Sequence, residues 1–153
     1  MRLLRVLLAV MSVVLFTACE PTNDAPKNYP TLESIDGTLW YSYDAQNNIF
    51  YDIYYELGSG HMDGFDSSER TNKISEREFE YSFTPATANL DAIVELTFDD
   101  GQRYGGILIP KGNIQINNYD VYIIQLYELT DDGMEIAKDE NGNIKSTLQM
   151  WRE

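Results

Sequence analysis

Residues 37–66, GTLWYSYDAQNNIFYDIYYELGSGHMDGFD, alternate apolar and polar side chains through three segments separated by turn residues. A period of two marks half-buried strands, so the stretch reads as three consecutive antiparallel strands. A turn at residues 45–47 pairs Tyr43 with Ile49 and sets Leu39, Tyr41 and Tyr43 against Ile53, Tyr51 and Ile49 on one face, with Tyr55 and Leu57 continuing the row. The other face carries Thr38, Ser42, Asp52 and Glu56, and this register also puts Trp40 there. A hairpin at Gly58 and Ser59 pairs Tyr55 with Met62 and Glu56 with His61, which directs Gly60, Met62 and Gly64 inward and His61, Asp63 and Phe65 outward.

The pattern continues downstream. In EREFEYSFTP, residues 76–85, Phe79, Tyr81 and Phe83 alternate with Glu78, Glu80 and Ser82, and Pro85 ends the strand. Val94, Leu96 and Phe98 alternate with Glu95 and Thr97 in a fifth strand, and the turn at Asp99–Gln102 leads into a sixth, RYGGILIP, residues 103–110. Gly105 and Gly106 in the middle of that strand mark a bend or a close backbone approach. The run Tyr119–Leu129 is apolar on both faces, so periodicity leaves its orientation open. A short strand around Met134–Ala137 and a last one, STLQMWR, complete eight or nine strands without a helix. The fold class is all-β: an up-and-down antiparallel meander barrel, with a two-sheet β-sandwich as the alternative.

The amino end has a different character. Residues 1–18 carry Arg2 and Arg5, an apolar run Val6–Phe16 broken by Ser12, then Thr17 and Ala18 before Cys19, the single cysteine. This is the pattern of an export signal, too short for a membrane span and ending in small residues. Residues 19–33 hold Pro21, Pro26 and Pro30 among polar side chains and read as an extended tether ahead of a domain at 34–153. A lone cysteine excludes an intrachain disulfide. Without Arg2 and Arg5, 9 basic residues face 25 acidic ones, a balance of −16 that excludes nucleic acid as a partner.

The cysteine directly after the small residues resembles the lipobox of bacterial lipoproteins, whose thiol is acylated; the alternative is an ordinary secretory signal with an incidental Cys19. Together with the Pro-rich tether, Gly37 and Trp40 opening the first strand, the meander and the closing Trp151-Arg152, the layout is similar to the small lipocalin-like lipoproteins of Gram-negative anaerobes. The resemblance implies a calycin-type barrel that binds a small apolar or amphipathic molecule, with Arg152 against Trp40. It also implies attachment to the outer membrane of the cell envelope through a lipid on Cys19.

Chemistry in the chain is sparse. His61 is the only histidine, which excludes a multi-histidine metal site, and its cross-strand neighbour Glu56 makes a solvated pair. The clusters Asp63, Asp66, Glu69 and Asp139, Glu140, Asn141, Asn143 do not match an EF-hand loop, and turn chemistry accounts for both. No catalytic set converges, so the expectation is a non-enzymatic protein without metal or cofactor. Tyr41, Tyr51, Ile53, Tyr55, Met62, Phe79, Tyr81 and Phe83 are the candidate ligand-binding lining of the interior, because so many tyrosine hydroxyls suit a wet or occupied cavity better than an aliphatic core. A core filled by its own side chains is the competing reading. Trp40, Phe50, Tyr54 and Phe65 form a candidate outer aromatic patch for a glycan or an envelope protein.

Overall fold

The computed structural model of the chain describes residues 32–153; the leader, Cys19 and most of the tether lie outside them. Eight strands follow one another: β1 (Thr38–Asp44), β2 (Ile49–Tyr55), β3 (Ser59–Phe65), β4 (Lys73–Thr84), β5 (Ala92–Phe98), β6 (Arg103–Ile116), β7 (Tyr119–Glu128) and β8 (Thr147–Arg152). Each pairs antiparallel with the next and β8 pairs with β1, which closes an up-and-down meander barrel of one sheet rather than the two of a sandwich. The segment expected as a ninth strand makes only isolated bridges, Leu129 with Ile136 and Lys138 with Ile144, in the excursion between β7 and β8.

The first hairpin departs from the sequence reading by one residue, and that residue inverts a strand. Asp44, not Tyr43, stands opposite Ile49, so Trp40 faces Ile53 and Ser42 faces Tyr51, while Tyr41 faces Asp52 on the outside. The cause lies in the turn. The Asp44 carboxylate accepts from the backbone N–H of Gln46 and Asn47 at 2.9 and 3.1 Å, and Asn48 adopts a left-handed φ of 54°, so the connection spans four residues instead of three. Side chains alternate along a strand, so the shift turns every β1 residue over and carries Trp40, fully buried, into the core. Tyr41, expected within, lies outside. At the second hairpin Ile53 rather than Tyr55 pairs with Met62, a shift of two residues that leaves all faces as expected.

One end of the barrel is sealed. Gly37, at a left-handed φ of 68°, donates its N–H to the Tyr55 carbonyl at 2.8 Å and turns the preceding segment under the strands, where Ile35 is fully buried. Trp40 Nε1 donates to Thr38 Oγ1 at 2.8 Å, and that hydroxyl donates to the Ile35 carbonyl at 2.5 Å, so the indole N–H is satisfied inside the core. Above this plug Ile53, Tyr55, Met62, Phe79, Leu96, Leu108, Ile124, Leu126 and Met150 form one buried cluster. Tyr55 stands edge-on to Trp40, Phe79 and Tyr81, a packing that suits the ring quadrupoles. Two glycines admit close neighbours: a Cβ on Gly60 would lie 2.4 Å from the Phe79 ring, and one on Gly106 would lie 1.9 Å from the Gln125 carbonyl oxygen. The bend-or-approach expectation at Gly105 and Gly106 thus resolves, at Gly106, to an approach between the β6 and β7 backbones.

The weakest part of the wall is the closure. Seven residue pairs join β1 to β2, whereas Tyr41 with Trp151 is the one pair that joins β1 to β8. Strand β7, undecided by periodicity, turns Tyr122, Ile124 and Leu126 to the interior, opposite Arg152, Met150 and Leu148 of β8. Arg152 is therefore on the inward register, but the guanidinium groups found over rings among the described residues are those of Arg70 on Tyr41 and Arg77 on Phe98.

Two predictions follow from the packed half. Trp40→Ala removes the largest buried side chain and leaves a void that Tyr55 and Ile35 cannot fill, so the urea midpoint falls by the equivalent of about 3–5 kcal/mol; a loss below about 1 kcal/mol would contradict the interior placement. The second concerns alkali. Burial pushes the Tyr55 hydroxyl far above its ordinary value, and burial, then the hydrogen bond to Asp36, pushes Tyr81 up to about 12. The folded state therefore holds these protons to higher pH than the unfolded chain, so stability declines as pH rises from 10.0, where unfolded tyrosines titrate, towards 12. Tyr55→Phe deletes a hydroxyl whose partner is the Met150 sulfur at 3.2 Å. Denaturant titrations should find the variant within about 1 kcal/mol of the parent at neutral pH and less sensitive to alkali above it.

Candidate functional site

At the end of the barrel opposite the plug, the interior opens into a cavity of about 600 Å³. Its floor is the top of the packed cluster, Met62 and Phe98, and its walls carry Ser42, Tyr51, Arg77, Tyr104, Ser146 and Leu148. The rim is the β1–β2 turn, Tyr43–Gln46, on one side and residues 144–149 leading into β8 on the other. These two sides face each other across the closure where, beyond Tyr41 and Trp151, no further β1–β8 pair forms, so the cavity reaches into the gap between the strands.

Of the expected lining, the structure brings Tyr51 and Met62 to this cavity. Ile53, Tyr55 and Phe79 point inward but are spent in the packed floor, and Tyr81 and Phe83 pack against the cluster towards the sealed end. Tyr81 donates its hydroxyl to the Asp36 carboxylate, beside the Glu56 carbonyl at 2.6 Å, so it fastens the plug rather than facing a ligand. Tyr41 is on the outer surface beneath Arg70, 5.1 Å from its ring centroid. Of the four tyrosines expected within, Tyr55 donates to the Met150 sulfur and Tyr81 to Asp36, Tyr51 faces the cavity and Tyr41 lies outside; Tyr104, an inward tyrosine of β6, pairs with Ser146 Oγ at 3.1 Å.

The residue that the sequence reading passed over is Arg77. It shares the inward face of β4 with Phe79 and Tyr81, and its guanidinium carbon lies 3.8 Å from the centroid of the Phe98 ring. Nη2 donates to Asp100 Oδ2 at 2.7 Å and to Gln102 Oε1 at 3.1 Å. The signal was present in the strand itself, where the only odd-numbered polar residue between Arg77 and Phe83 is the arginine. Lys145, the other cation at the cavity, pairs with Glu128, an interior carboxylate buried at the end of β7. Burial, with a further contribution from Asp44 and against an opposing one from Arg77, raises the Tyr51 hydroxyl above its ordinary value and keeps it a neutral donor at physiological pH.

The outer patch has different members from those expected. Trp40 leaves it for the core, and Tyr41, Tyr43 and His61 join Phe50, Tyr54 and Phe65 on the outer face of β1–β3. Tyr43 stacks on Phe50 and Tyr54 on His61, each at 4.6 Å between centroids, so these rings turn their faces to one another across strands. Between them Asp52, 7% exposed, receives Arg70 Nε at 2.5 Å, and the same side chain covers Tyr41. A second hollow, about 610 Å³, lies over the outside of β3–β5 among Glu56, His61, Glu76, Glu78, Glu80 and Asp99. Its carboxylates are exposed, and Glu76 is engaged by Lys73 at 2.6 Å. Asp139 of the second acidic cluster accepts from the backbone of Asn141 and Asn143 at 2.8 and 2.9 Å, which is turn chemistry.

Among the candidate sites, the cavity above Phe98 is the one that combines concavity, an apolar floor and convergent polar groups. No protein-family model, no curated protein and no solved structure matches the chain.

Proposed function

We propose that the protein is a lipid-anchored envelope lipoprotein whose barrel binds a small hydrophobic or amphipathic molecule without transforming it. The observation that carries the reading is the cavity of about 600 Å³ at the open end, seated on a packed aromatic floor. Pockets that take drug-sized ligands have volumes of roughly 300–1,000 Å³, and this cavity falls in that range, with Met62, Phe98 and Leu148 as apolar contacts among mostly polar walls that suit an amphipathic molecule. The anchor reading rests on Arg2, Arg5, the apolar run Val6–Phe16 and Cys19, and the lipocalin-like kinship on the barrel and its opening Gly37 and Trp40. An outer surface for a glycan or an envelope protein is the second reading. It has less support, since Tyr43, Phe50, Tyr54 and His61 already stack on one another.

Titration of the purified protein with an environment-sensitive neutral apolar fluorophore tests the binding. Saturable enhancement that amphiphiles displace is expected, and Leu148→Trp, which adds bulk to the cavity wall, should weaken it at least about tenfold. Phe50→Ala, on the outer face, should leave it unchanged. Absence of saturable binding by folded protein, or the reverse ranking of the two variants, would overturn the proposal.

A further inference from the structure

We infer that the sealed end of the barrel is its membrane-facing side, where an amphipathic arm formed by β6 and β7 rests in the lipid interface. The inference rests on the lipid-anchor part of the reading above and adds an orientation to it. Pairing defines the arm. Strand β5 accompanies β6 only as far as Leu108, opposite Ala92, and β8 accompanies β7 only from Tyr122, opposite Arg152. Beyond those points the two strands pair with each other alone among the described residues: Ile114 with Val121, Gln115 with Asp120 and Ile116 with Tyr119, around a turn in which Asn117 and Asn118 take left-handed φ values of 52° and 68°. Tyr104, near the start of β6, lines the cavity, so the far end of that strand, and the arm with it, projects past the plug.

The alternation of side chains gives this arm two faces. Ile114, Ile116, Tyr119 and Val121 share one; Gln115 and Asp120 share the other, where the Gln115 amide donates to the Asp120 carboxylate at 2.9 Å. Val121, where the arm joins the barrel, is buried, but a two-stranded ribbon has no third layer to cover its apolar face, and Tyr119 at the tip is 63% exposed. Two other connections at the same end present an apolar side chain to solvent: Leu57, 90% exposed, between β2 and β3, and Leu90, 67% exposed, between β4 and β5. Charge separates the two ends. Residues 109–121 carry Lys111 and Asp120, so the arm is neutral in a chain of net charge −14. The plug and the sealed-end connections, residues 32–37, 56–58, 85–91 and 109–121, hold five acids, and Asp36 among them is bonded to Tyr81; the connections at the open end, residues 45–48, 66–72, 99–102 and 129–146, hold nine. Bringing carboxylates to a lipid interface costs their hydration, so the exposed Met134 of the open end is the poorer contact. The anchor selects the same end. The described residues begin at Leu32, which packs under the strands on the sealed side, and Cys19 lies 13 positions before it, a reach of at most about 45 Å. A lipid on Cys19 holds this end nearest the bilayer, and a tyrosine beside aliphatic side chains suits the boundary between headgroups and acyl chains. The cavity mouth then faces the aqueous side.

Cys19 is the single cysteine, so in the acylated protein a cysteine introduced elsewhere is the one free thiol for a label. Acylated Tyr119→Cys and Met134→Cys, each carrying a nitrobenzoxadiazole fluorophore, are reconstituted into phosphatidylcholine vesicles with and without nitroxide-labelled phospholipid. The label at position 119 should emit at shorter wavelength than the label at position 134 and lose intensity to the lipid-borne nitroxide, while the label at 134 keeps its intensity. Leu57→Cys should behave as Tyr119→Cys does, and takes its place should that variant fail to fold. Equal quenching at the two ends, or stronger quenching at 134, would overturn the orientation and leave the anchor standing. A blue-shifted label at 119 that the nitroxide does not quench would overturn it as well, by placing a second copy or another protein on the arm. Acylated protein that does not float with the vesicles would overturn the anchor reading itself, and the orientation with it.

Discussion

Everything inside this barrel depends on the register of β1 against β2. Asp44 and Asn48 set a four-residue connection, and the connection places Trp40 opposite Ile53 within the core. With Trp40 inside, Thr38 can bridge the indole to the Ile35 carbonyl, and residues 32–37 can fold under the strands as a plug. A pairing displaced by one residue would send Leu39, Tyr41 and Tyr43 inward and place an indole in water. The alternation of side chains makes the choice all-or-none, since no intermediate register satisfies both faces.

The plug determines where the interior remains open. Large side chains concentrate at the sealed end, where Trp40 and Phe79 meet Tyr55 edge-on and Ile35 is fully buried. Towards the other end the inward positions become smaller or polar, Ser42 on β1, Gly64 on β3, Arg77 on β4 and Ser146 before β8, and the packing gives way to a cavity. The single β1–β8 pair belongs to the same design, because strands that part beyond Tyr41 and Trp151 widen the opening that the rim surrounds. Arg77 occupies the border between the two halves, its guanidinium carbon 3.8 Å from the Phe98 ring centroid and its Nη2 paired with Asp100 and Gln102.

Much of this was legible in the sequence. The alternations in residues 37–66 and 76–99 and the turn residues between them specify an all-β meander, and the inward set Tyr51, Ile53, Tyr55, Met62, Phe79, Tyr81 and Phe83 follows from period two alone. The error at β1 arose because turn length, not hydrophobicity, decides which face turns inward: Leu39, Tyr41 and Tyr43 make the more apolar row, Thr38, Trp40 and Ser42 the more polar one, and only the bulk of Trp40 argued for the register that forms. A misjudged hairpin at Gly58 did no such harm, because a shift of two preserves parity. The cavity itself was hidden for another reason. Tyr43–Gln46, Arg77 and residues 144–149 converge only when β8 returns to β1, and no local pattern records a contact made across the whole length of the chain.

The two tryptophans allow a direct test of that register. In a Trp151→Phe variant the fluorescence comes from Trp40 alone. An indole fully buried beside Tyr55 and bonded to Thr38 should emit at short wavelength and resist quenching by acrylamide until the protein unfolds. A red-shifted emission that acrylamide quenches readily in the folded protein would put Trp40 on the outside, reverse β1, and remove both the plug and the cavity that rests on it.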